Sequence, residues 1–412
     1  MSYRSLFDVR EFRYLYASLA LSQAGDQLSA VAVSVLVFDR TGSALLTALA
    51  YASAWLPGII AGPVLGPLTD WLPRRTVLVA CDLTRAGLLC LLAVPGMSAT
   101  AVIVLLYVTH TFRSPFTAAR SALLPDVLDG DAYIAGNGLC NVTQQVAQVV
   151  GFAAGGIIVT WLRPSGALLL DAATFVISAG LIGAGVRPRP TAVSSRGRPR
   201  LLGESVEALR QVFGDHWSRG CLLLVCFGLA LPYGSEAVVY PLARELGGGA
   251  EVAGLLLAAP GIGYIFGAVL LTRVLSGRTR DRLLVPFAVL SSAVLAPALL
   301  SPPIPVLVVL FFLLGFGSAF SVPLNAMFAQ RLNAEHRGRI MAIAISGILA
   351  MQGTGFLLAG ALADAGLQPA TAVGLIGVVG VAVVIATAMT WSDSFQSGRA
   401  SYAAESFGHA GE

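Results

Sequence analysis

The sequence predicts an all-α integral membrane protein, with twelve transmembrane helices arranged as two pseudo-symmetric six-helix bundles. Three observations carry that expectation. Charged residues make up 12% of the 412-residue chain and hydrophobic residues 56%, where a soluble domain has about 25% charged. Apolar runs of about 20 residues, enough to cross a bilayer, recur from end to end. Two pairs of helical segments, each separated by about 204 residues, repeat the same residue types at the same spacing. A soluble fold of this composition could not cover its surface with polar groups, which excludes a cytosolic enzyme, a secreted domain and a disordered chain.

The first helix is expected at 12–38. Arg4, Arg10 and Arg13 precede it, its apolar run is longer than a signal-peptide core, and no small-residue cleavage pattern follows, so it reads as a retained span. The second, 44–65, carries no charge. The third and fourth fall at 76–95 and 100–122, the fifth and sixth at 137–162 and 166–186, and the seventh and eighth at 219–242 and 251–273. The apolar run from Leu283 to Gln330 is long enough for two crossings and is broken at Ser301-Pro302-Pro303-Ile304-Pro305. A helix cannot continue through that string, so the ninth and tenth helices are set at 283–301 and 305–329. The eleventh and twelfth follow at 340–363 and 369–391.

These spans divide the chain into an N-terminal bundle, 1–186, and a C-terminal bundle, 219–391. The polar segment between them, 187–218, holds a helix-like stretch from Leu201 to Phe213 and is expected to lie as a cytoplasmic tether on the membrane surface. The tail, 392–412, is rich in Ser, Gly and Ala and is expected to be disordered.

All 26 basic residues are Arg, and with 22 acids the net charge is +4. That is too small an excess to suggest nucleic-acid binding. With both termini in the cytoplasm, only Arg40, Arg163 and Arg244 lie outside, Arg85 and Arg113 sit within helices, and the rest fall on the inner side. The inverted arrangement would violate the positive-inside rule almost everywhere. Cys81, Cys90, Cys140, Cys221 and Cys226 lie in or beside apolar runs without ligand spacing, so neither disulfides nor structural zinc are expected.

The repeat is specific in two places. Gln148, Gly151, Phe152 and Gly156 of the fifth helix match Gln352, Gly355, Phe356 and Gly360 of the eleventh. Gly58, Ile60, Gly62, Val64 and Leu65 of the second match Gly263, Ile265, Gly267, Val269 and Leu270 of the eighth. A parallel repeat of six-helix halves is the construction of alternating-access transporters, with a site near the membrane midplane between the halves.

The turn after the second helix reads Gly66-Pro67-Leu68-Thr69-Asp70-Trp71-Leu72-Pro73-Arg74-Arg75. It resembles the G-x-L-x-D-x-x-x-R-R signature of the major facilitator superfamily, as do the spans, the halves and the long central loop. Further strings, Thr41-Gly42-Ser43, Leu56-Pro57, Asp82-Leu83-Thr84-Arg85 and Phe112-Arg113-Ser114-Pro115, look like the branch holding macrolide-efflux proteins and the enterobactin exporter. The resemblance implies a secondary active transporter: proton-coupled efflux of a hydrophobic or amphipathic small molecule, such as an antibiotic or secondary metabolite. The alternatives are an uptake or lipid-flipping carrier, or a non-transporting membrane sensor or assembly partner. It also implies that Gly66, Asp70, Arg74 and Arg75 form a gating motif.

This chain departs from the family pattern in three places. Trp71 and Pro73 stand where the family usually has a basic residue and a Gly. Gly151-Phe152 stands where its antiporters carry Gly-Pro, and the loop Ser276 to Arg282 keeps Arg280 opposite Arg75 but has no Asp equivalent.

Six charged residues fall inside spans away from their ends: Asp26, Asp82, Arg85, Arg113, Asp171 and Glu236. Each is costly in lipid unless paired or hydrated. Asp82 and Arg85, three apart, share a helix face and are expected to pair. Asp26 sits mid-span with Arg113 as its expected partner, and His110 is one turn from Arg113. Asp26, Arg113, Asp171 and Glu236 are the proton-coupling candidates, with Asp171 and Glu236 placed nearer the outer leaflet.

For the substrate cavity, Asn141, Gln144, Gln145 and Gln148 make an amide stripe on one face of the fifth helix. Gln23, Tyr233, Tyr264, Asn325 and Gln352 are further candidates for the same cavity. No nucleotide-binding loop, catalytic triad spacing or metal cluster is evident, so no enzyme activity, cofactor or metal is expected. The expected partners are a small-molecule substrate, protons and the lipid of a cell membrane, with no nucleic acid, for a chain acting as a monomer.

Overall fold

The computed structural model describes residues 3–65, 72–189, 213–332 and 334–408. It is 88% helical, without strands among the described residues. Nine of its helices are long and apolar enough to cross a membrane by length and composition. Three further crossings complete the twelve. Gly130–Gly185 is two helices joined at a reversal, Arg74–Leu92 carries Arg74, Arg75, Asp82 and Arg85 within its 19 residues, and the fourth crossing is split into Ala99–Thr111 and Arg113–Val127. Large apolar side chains such as Trp161 (82% exposed) and Leu300 (84%) point outward, as they must where lipid replaces water.

Local chemistry sets the helix ends. The first helix, Arg10–Thr41, stops at Gly42, whose φ of 66° places it in the left-handed region while its N–H bonds Phe38 O. Ser43 then caps the second helix, its Oγ accepting from Leu46 N at 3.0 Å. Between the fifth and sixth helices Arg163 adopts φ 60°, ψ 166° directly before Pro164, and Ser301 takes φ 46° before Pro302. The residue before a proline is kept out of the helical region, so both strings end a crossing.

Prolines also explain the internal breaks. The fourth crossing interrupts at Phe112 and the tenth, Ile304–Ser318 with Ser321–Arg331, at Ala319–Phe320. In each, a proline (Pro115, Pro323) lies in the first turn of the second piece and cannot donate to the preceding one.

The chain divides into two compact units. One gathers Met1–Arg196, Glu236–Gly261 and Phe356–Pro369; the other gathers Gly197–Ser235, Ile262–Gly355 and Ala370–Glu412. The first unit therefore includes, beside the first six helices, the end of the seventh, the start of the eighth and the end of the eleventh. Every buried charged side chain among the described residues lies in it: Asp26, Asp82, Arg85, Asp171 and Glu236. The second unit is built on an apolar cluster that includes Leu224, Leu271, Leu284, Phe287, Phe320 and Leu324.

The repeated glycines occupy equivalent contacts. A Cβ on Gly151 would sit 2.9 Å from the carbonyl of Ala24 in the first helix, and one on Gly355 would sit 2.2 Å from that of Ala230 in the seventh. Gly156 meets Ala250 O on the eighth helix, and Gly360 meets Ala44 O on the second. The small-residue string thus lets the fifth and eleventh helices approach two neighbours each.

One expectation falls differently. The last helix, Pro369–Gly408, continues through most of the tail expected to be disordered. From Ala370 on it contains no proline, and Ala400, Ala403, Ala404 and Glu405 are good helix formers. Most of the helix-like stretch Leu201 to Phe213 lies outside the described residues.

Candidate functional site

The site is assembled on three helices of the first unit whose apolar sequences carry single ionisable residues at helical spacing. On the sixth, Asp171, Phe175 and Ser178 share one face, since residues four and seven apart are stacked in successive turns. Asp171 turns to the first helix, where Ser29 Oγ donates to its Oδ2. Thr174 Oγ1 donates to its Oδ1 at 3.1 Å. Ser178 Oγ donates to Asp82 Oδ2 on the third helix at 2.6 Å. Between them Arg85 lies over the Phe175 ring, 4.0 Å from its centroid, and its NH2 donates to Asp26 Oδ1 on the first helix. Gly25 makes this possible, because a Cβ there would fall 2.5 Å from Thr174 Oγ1.

Asp26 and Arg85 are an ion pair sealed from solvent, their side chains 7% and 3% exposed. They border a small cavity, with about 20 Å³ of water-accessible space, whose other polar walls include Ser29, Tyr51, His110 and Asp171. That is room for about one water. His110 Nδ1 lies 3.0 Å from Leu106 O and 3.2 Å from Ser53 Oγ. Tyr51 carries the network outward, its Oη donating to Glu236 Oε2 at 2.9 Å. Glu236 sits in a 3-10 turn, Ser235–Val238, that interrupts the seventh helix just after Pro232 and Gly234, and it is buried. Three carboxylates, Asp26, Asp171 and Glu236, therefore stand on or one tyrosine away from the same cavity. Asp82 Oδ1 and Arg85 Nε are buried with no hydrogen-bond partner among the described residues. Such orphaned atoms are costly and mark a site whose bonding can rearrange.

The end of the first helix, distal to the N-terminus, is tied by a second set of polar contacts. Asp364, at the end of the eleventh helix Ala334–Asp364, accepts from Ser43 Oγ at 2.5 Å and from Ala44 N at 2.7 Å, capping the second helix. Tyr240 Oη donates to Asp39 Oδ1 at 2.8 Å, and Thr160 Oγ1 donates to Glu251 Oε2 at 2.8 Å.

Asp26, Asp171 and Glu236 are thus brought together as proton-coupling candidates. Two pairings differ from expectation. Arg85, not Arg113, partners Asp26. Asp82 does not pair with Arg85, because the sixth helix packs against the third and offers Ser178 to Asp82 while Phe175 steers Arg85 to the first helix. Glu236 has a tyrosine partner and no ion pair among the described residues. Arg113 instead lies 5.8 Å from the Trp55 ring.

None of the amide stripe lines the cavity: Asn141 is exposed, and Gln144, Gln145 and Gln148 are half-buried with no hydrogen-bond partner among the described residues. Gln23 is half-buried in the first unit, as are Tyr233, Tyr264, Asn325 and Gln352 in the second. Of the gating motif, Gly66 and Asp70 lie outside the described residues. Arg74 NH1 bonds the Asp126 carboxylate and, at 2.8 Å, Ala122 O, while Arg75 NH2 bonds Gly183 O. Ser29, Tyr51, Thr174 and Ser178 were missed, since a lone hydroxyl on an apolar helix carries no periodic signal.

Comparison with known proteins gives three findings. The family model described as Major Facilitator Superfamily matches residues 15–240 and 235–407. The multidrug efflux pump Tap of Mycolicibacterium fortuitum is 29% identical over 396 residues, covering 89% of this chain and 94% of that protein. Among solved structures, a POT family transporter in complex with 5-aminolevulinic acid superposes with a TM-score of 0.72 at 9% identity, covering 93% of this chain and 96% of that one. A bacterial homologue of the human lysosomal transporter Spinster, inward-facing and occupied, gives 0.71 at 12% identity, covering 95% and 97%.

Proposed function

This chain belongs to the major facilitator superfamily, and from that premise we propose that it is a proton-driven exporter of hydrophobic or amphipathic small molecules working by alternating access. The buried Asp26–Arg85 pair, beside Asp171 and a cavity of about one water, is the observation that carries the coupling. An ion pair in a dry bundle is held by both charges. A proton on Asp26 cancels one of them and releases Arg85 toward Asp171 or Asp82, whose carboxylates flank it. Two protonation states then favour two arrangements of the first, third and sixth helices, which is what a coupling ion must do. The direction, export, is supported by the similarity to a protein named as a multidrug efflux pump.

In this reading the halves 1–186 and 219–391 are the moving bodies, the termini and 187–218 are cytoplasmic, and the chain works in the cell membrane as a monomer. It performs no covalent chemistry and needs no cofactor. The half-buried amides Gln144, Gln145 and Gln148 face the substrate path, with Asn141 at its inner end.

The experiment has two stages. A drug and metabolite susceptibility panel comparing deletion with overexpression identifies a cargo. Flux of that compound is then measured in everted vesicles under an imposed proton gradient, beside equilibrium binding. Asp26→Asn is expected to abolish gradient-driven flux while retaining binding, because the amide keeps shape and hydrogen-bonding capacity. Undiminished driven flux removes the coupling role, and transport directed inward reverses the export assignment.

A further inference from the structure

A second pocket, sharing no wall with the coupling cavity, lies at the end of the first unit near the start of the first helix. It has about 230 Å³ of water-accessible space, room for many more waters than the coupling cavity holds. Arg120 of the fourth helix forms one side; Tyr133 and Asn137 of the fifth and Phe12 and Tyr16 of the first form the others. The aromatic wall is rigid. Phe7, Phe12 and Tyr16 pack ring on ring at 5.2–5.8 Å, and Tyr16 Oη shares a 2.7 Å hydrogen bond with Thr143 Oγ1.

Arg120 forms no ion pair or hydrogen bond among the described residues. The nearby acids are otherwise committed or turned to solvent. Glu11 is held by Arg187 and Arg189, Asp126 by Arg74, and Asp8, Asp129 and Asp131 are exposed. Among the described residues this guanidinium faces a walled space without a carboxylate. It presents a planar fork suited to a carboxylate or phosphate, and the three rings beside it suit a flat apolar body.

We propose that this pocket binds an amphipathic anion, an aromatic or similarly flat molecule bearing a carboxylate or phosphate, and that such anions are a cargo class captured from the inner side. The binding site stands on the geometry alone; calling the anion cargo rests on the export reading.

The test uses the full chain in phosphatidylcholine nanodiscs and radiolabelled salicylate in a scintillation proximity assay. Saturable binding is expected, displaced by phenyl phosphate but not by the neutral salicylamide. Arg120→Gln is expected to weaken it by at least about tenfold, the scale of a charge-assisted hydrogen bond, and Arg120→Lys to weaken it less. Equal displacement by salicylamide, or unchanged affinity in Arg120→Gln, overturns the proposal. Displacement by inorganic phosphate as strong as by phenyl phosphate makes it a site for a bare ion, and loss of binding when phosphatidylglycerol is added makes it a lipid headgroup site; either result overturns the amphipathic cargo.

Tyr133→Ala, which keeps the charge and removes a wall, provides the second variant, and undiminished salicylate binding there also counts against the assignment. If salicylate binds but no compound of the susceptibility panel is moved in vesicles, the export reading fails and the site stands. A transport-competent chain that binds no salicylate leaves export intact and removes the site.

Discussion

The Asp26–Arg85 pair makes a quantitative demand. Both side chains are almost wholly buried, 7% and 3% exposed, so removing either strands the other's charge in a medium that cannot solvate it. Breaking a buried pair from one side costs about 3–5 kcal/mol. The two single changes should nevertheless differ. In Asp26→Asn the stranded Arg85 keeps the face of Phe175 at 4.0 Å, a cation–π contact that returns up to about 2 kcal/mol when desolvated. It also has the amide oxygen to bond. In Arg85→Gln the stranded Asp26 keeps the electrostatic pull of Arg113 and His110 but no hydrogen-bonded cation among the described residues. We therefore expect Arg85→Gln to cost about 3–5 kcal/mol and Asp26→Asn about 1–3. The double variant, with no net charge left, should cost less than the sum. At about 2–4 °C per kcal/mol for a body of this size, Arg85→Gln should melt about 6–20 °C lower. The assay is thermal unfolding of the purified protein in one detergent, read as the loss of the monodisperse chromatographic peak, across the four members of the cycle. An Arg85→Gln protein melting within about 2 °C of the parent, or single effects that simply add in the double, would refute the claim that the two charges hold each other.

Other consequences are checked more briefly. Tyr51→Phe removes the Glu236 hydrogen bond (2.9 Å) and leaves a buried carboxylate short of a donor; we expect driven flux to fall at least several-fold with insertion intact, and unchanged flux would separate Glu236 from the coupling cavity. Asp70→Asn is expected to insert normally but slow transport by shifting the balance of access states; parental rates in a well-expressed variant would remove a gating role. Labelling of single cysteines from outside should reach position 302 but not 196, and the reverse would invert the topology. Asp215, which caps the seventh helix, is held below the usual carboxylate range. Burial pushes its pKa up, but the Ser218 Oγ and N bonds and Arg331 outweigh burial. A depressed folded pKa contributes stability above the unfolded value of about 3.9 and loses it as pH falls through the folded one. Asp215→Ala should therefore lower the melting temperature at pH 7 and converge with the parent in acid, and a difference that persists or grows there would count against the cap.

How much of this was legible in the sequence depended on the range of the signal. Crossings are written in runs of about 20 residues and in prolines, so their number and breaks were readable, including the reversal at Ser301-Pro302-Pro303. The repeat at Gly151 and Gly355 was readable because close approach of two helix backbones admits few residue types. That Asp26, Asp171 and Glu236 needed a reason was readable from the cost of charge in lipid. Their partners were not. Pairing Asp82 with Arg85 follows from one helix taken alone, but Ser178 and Phe175, brought by a sixth helix nearly a hundred residues away, separate the two. Choosing Arg113 for Asp26 assumed that equal depth means proximity. The helical tail was misread because Ser, Gly and Ala suggest disorder by composition although no residue there forbids a helix.

The two halves repeat in packing but not in charge, and this asymmetry bears on how the protein works. The fifth and eleventh helices use the same glycine positions against equivalent neighbours, so both halves possess the scaffold for rocking. Yet among the described residues Asp26, Arg85 and Asp171 have no buried charged counterparts in the second unit. Where Arg85 reaches from the third helix to the first, the ninth helix meets the seventh at the hydroxyl of Ser291, which donates to Ala288 O of its own helix at 2.7 Å and lies 3.2 Å from Gly228 O. A neutral hydroxyl bond of this kind is indifferent to a proton gradient; a buried ion pair is not. Under the proposed coupling, proton binding is expected to change the packing around Asp26, Arg85 and Asp171, within the first unit. It follows that, Glu236 of the seventh helix apart, charge-neutralising substitutions that affect driven flux should fall in the first half, and that Ser291→Ala should leave coupling untouched. A Ser291→Ala protein that folds but loses gradient-driven flux, measured in the same vesicles as Asp26→Asn, would show that the coupling step is shared between the halves.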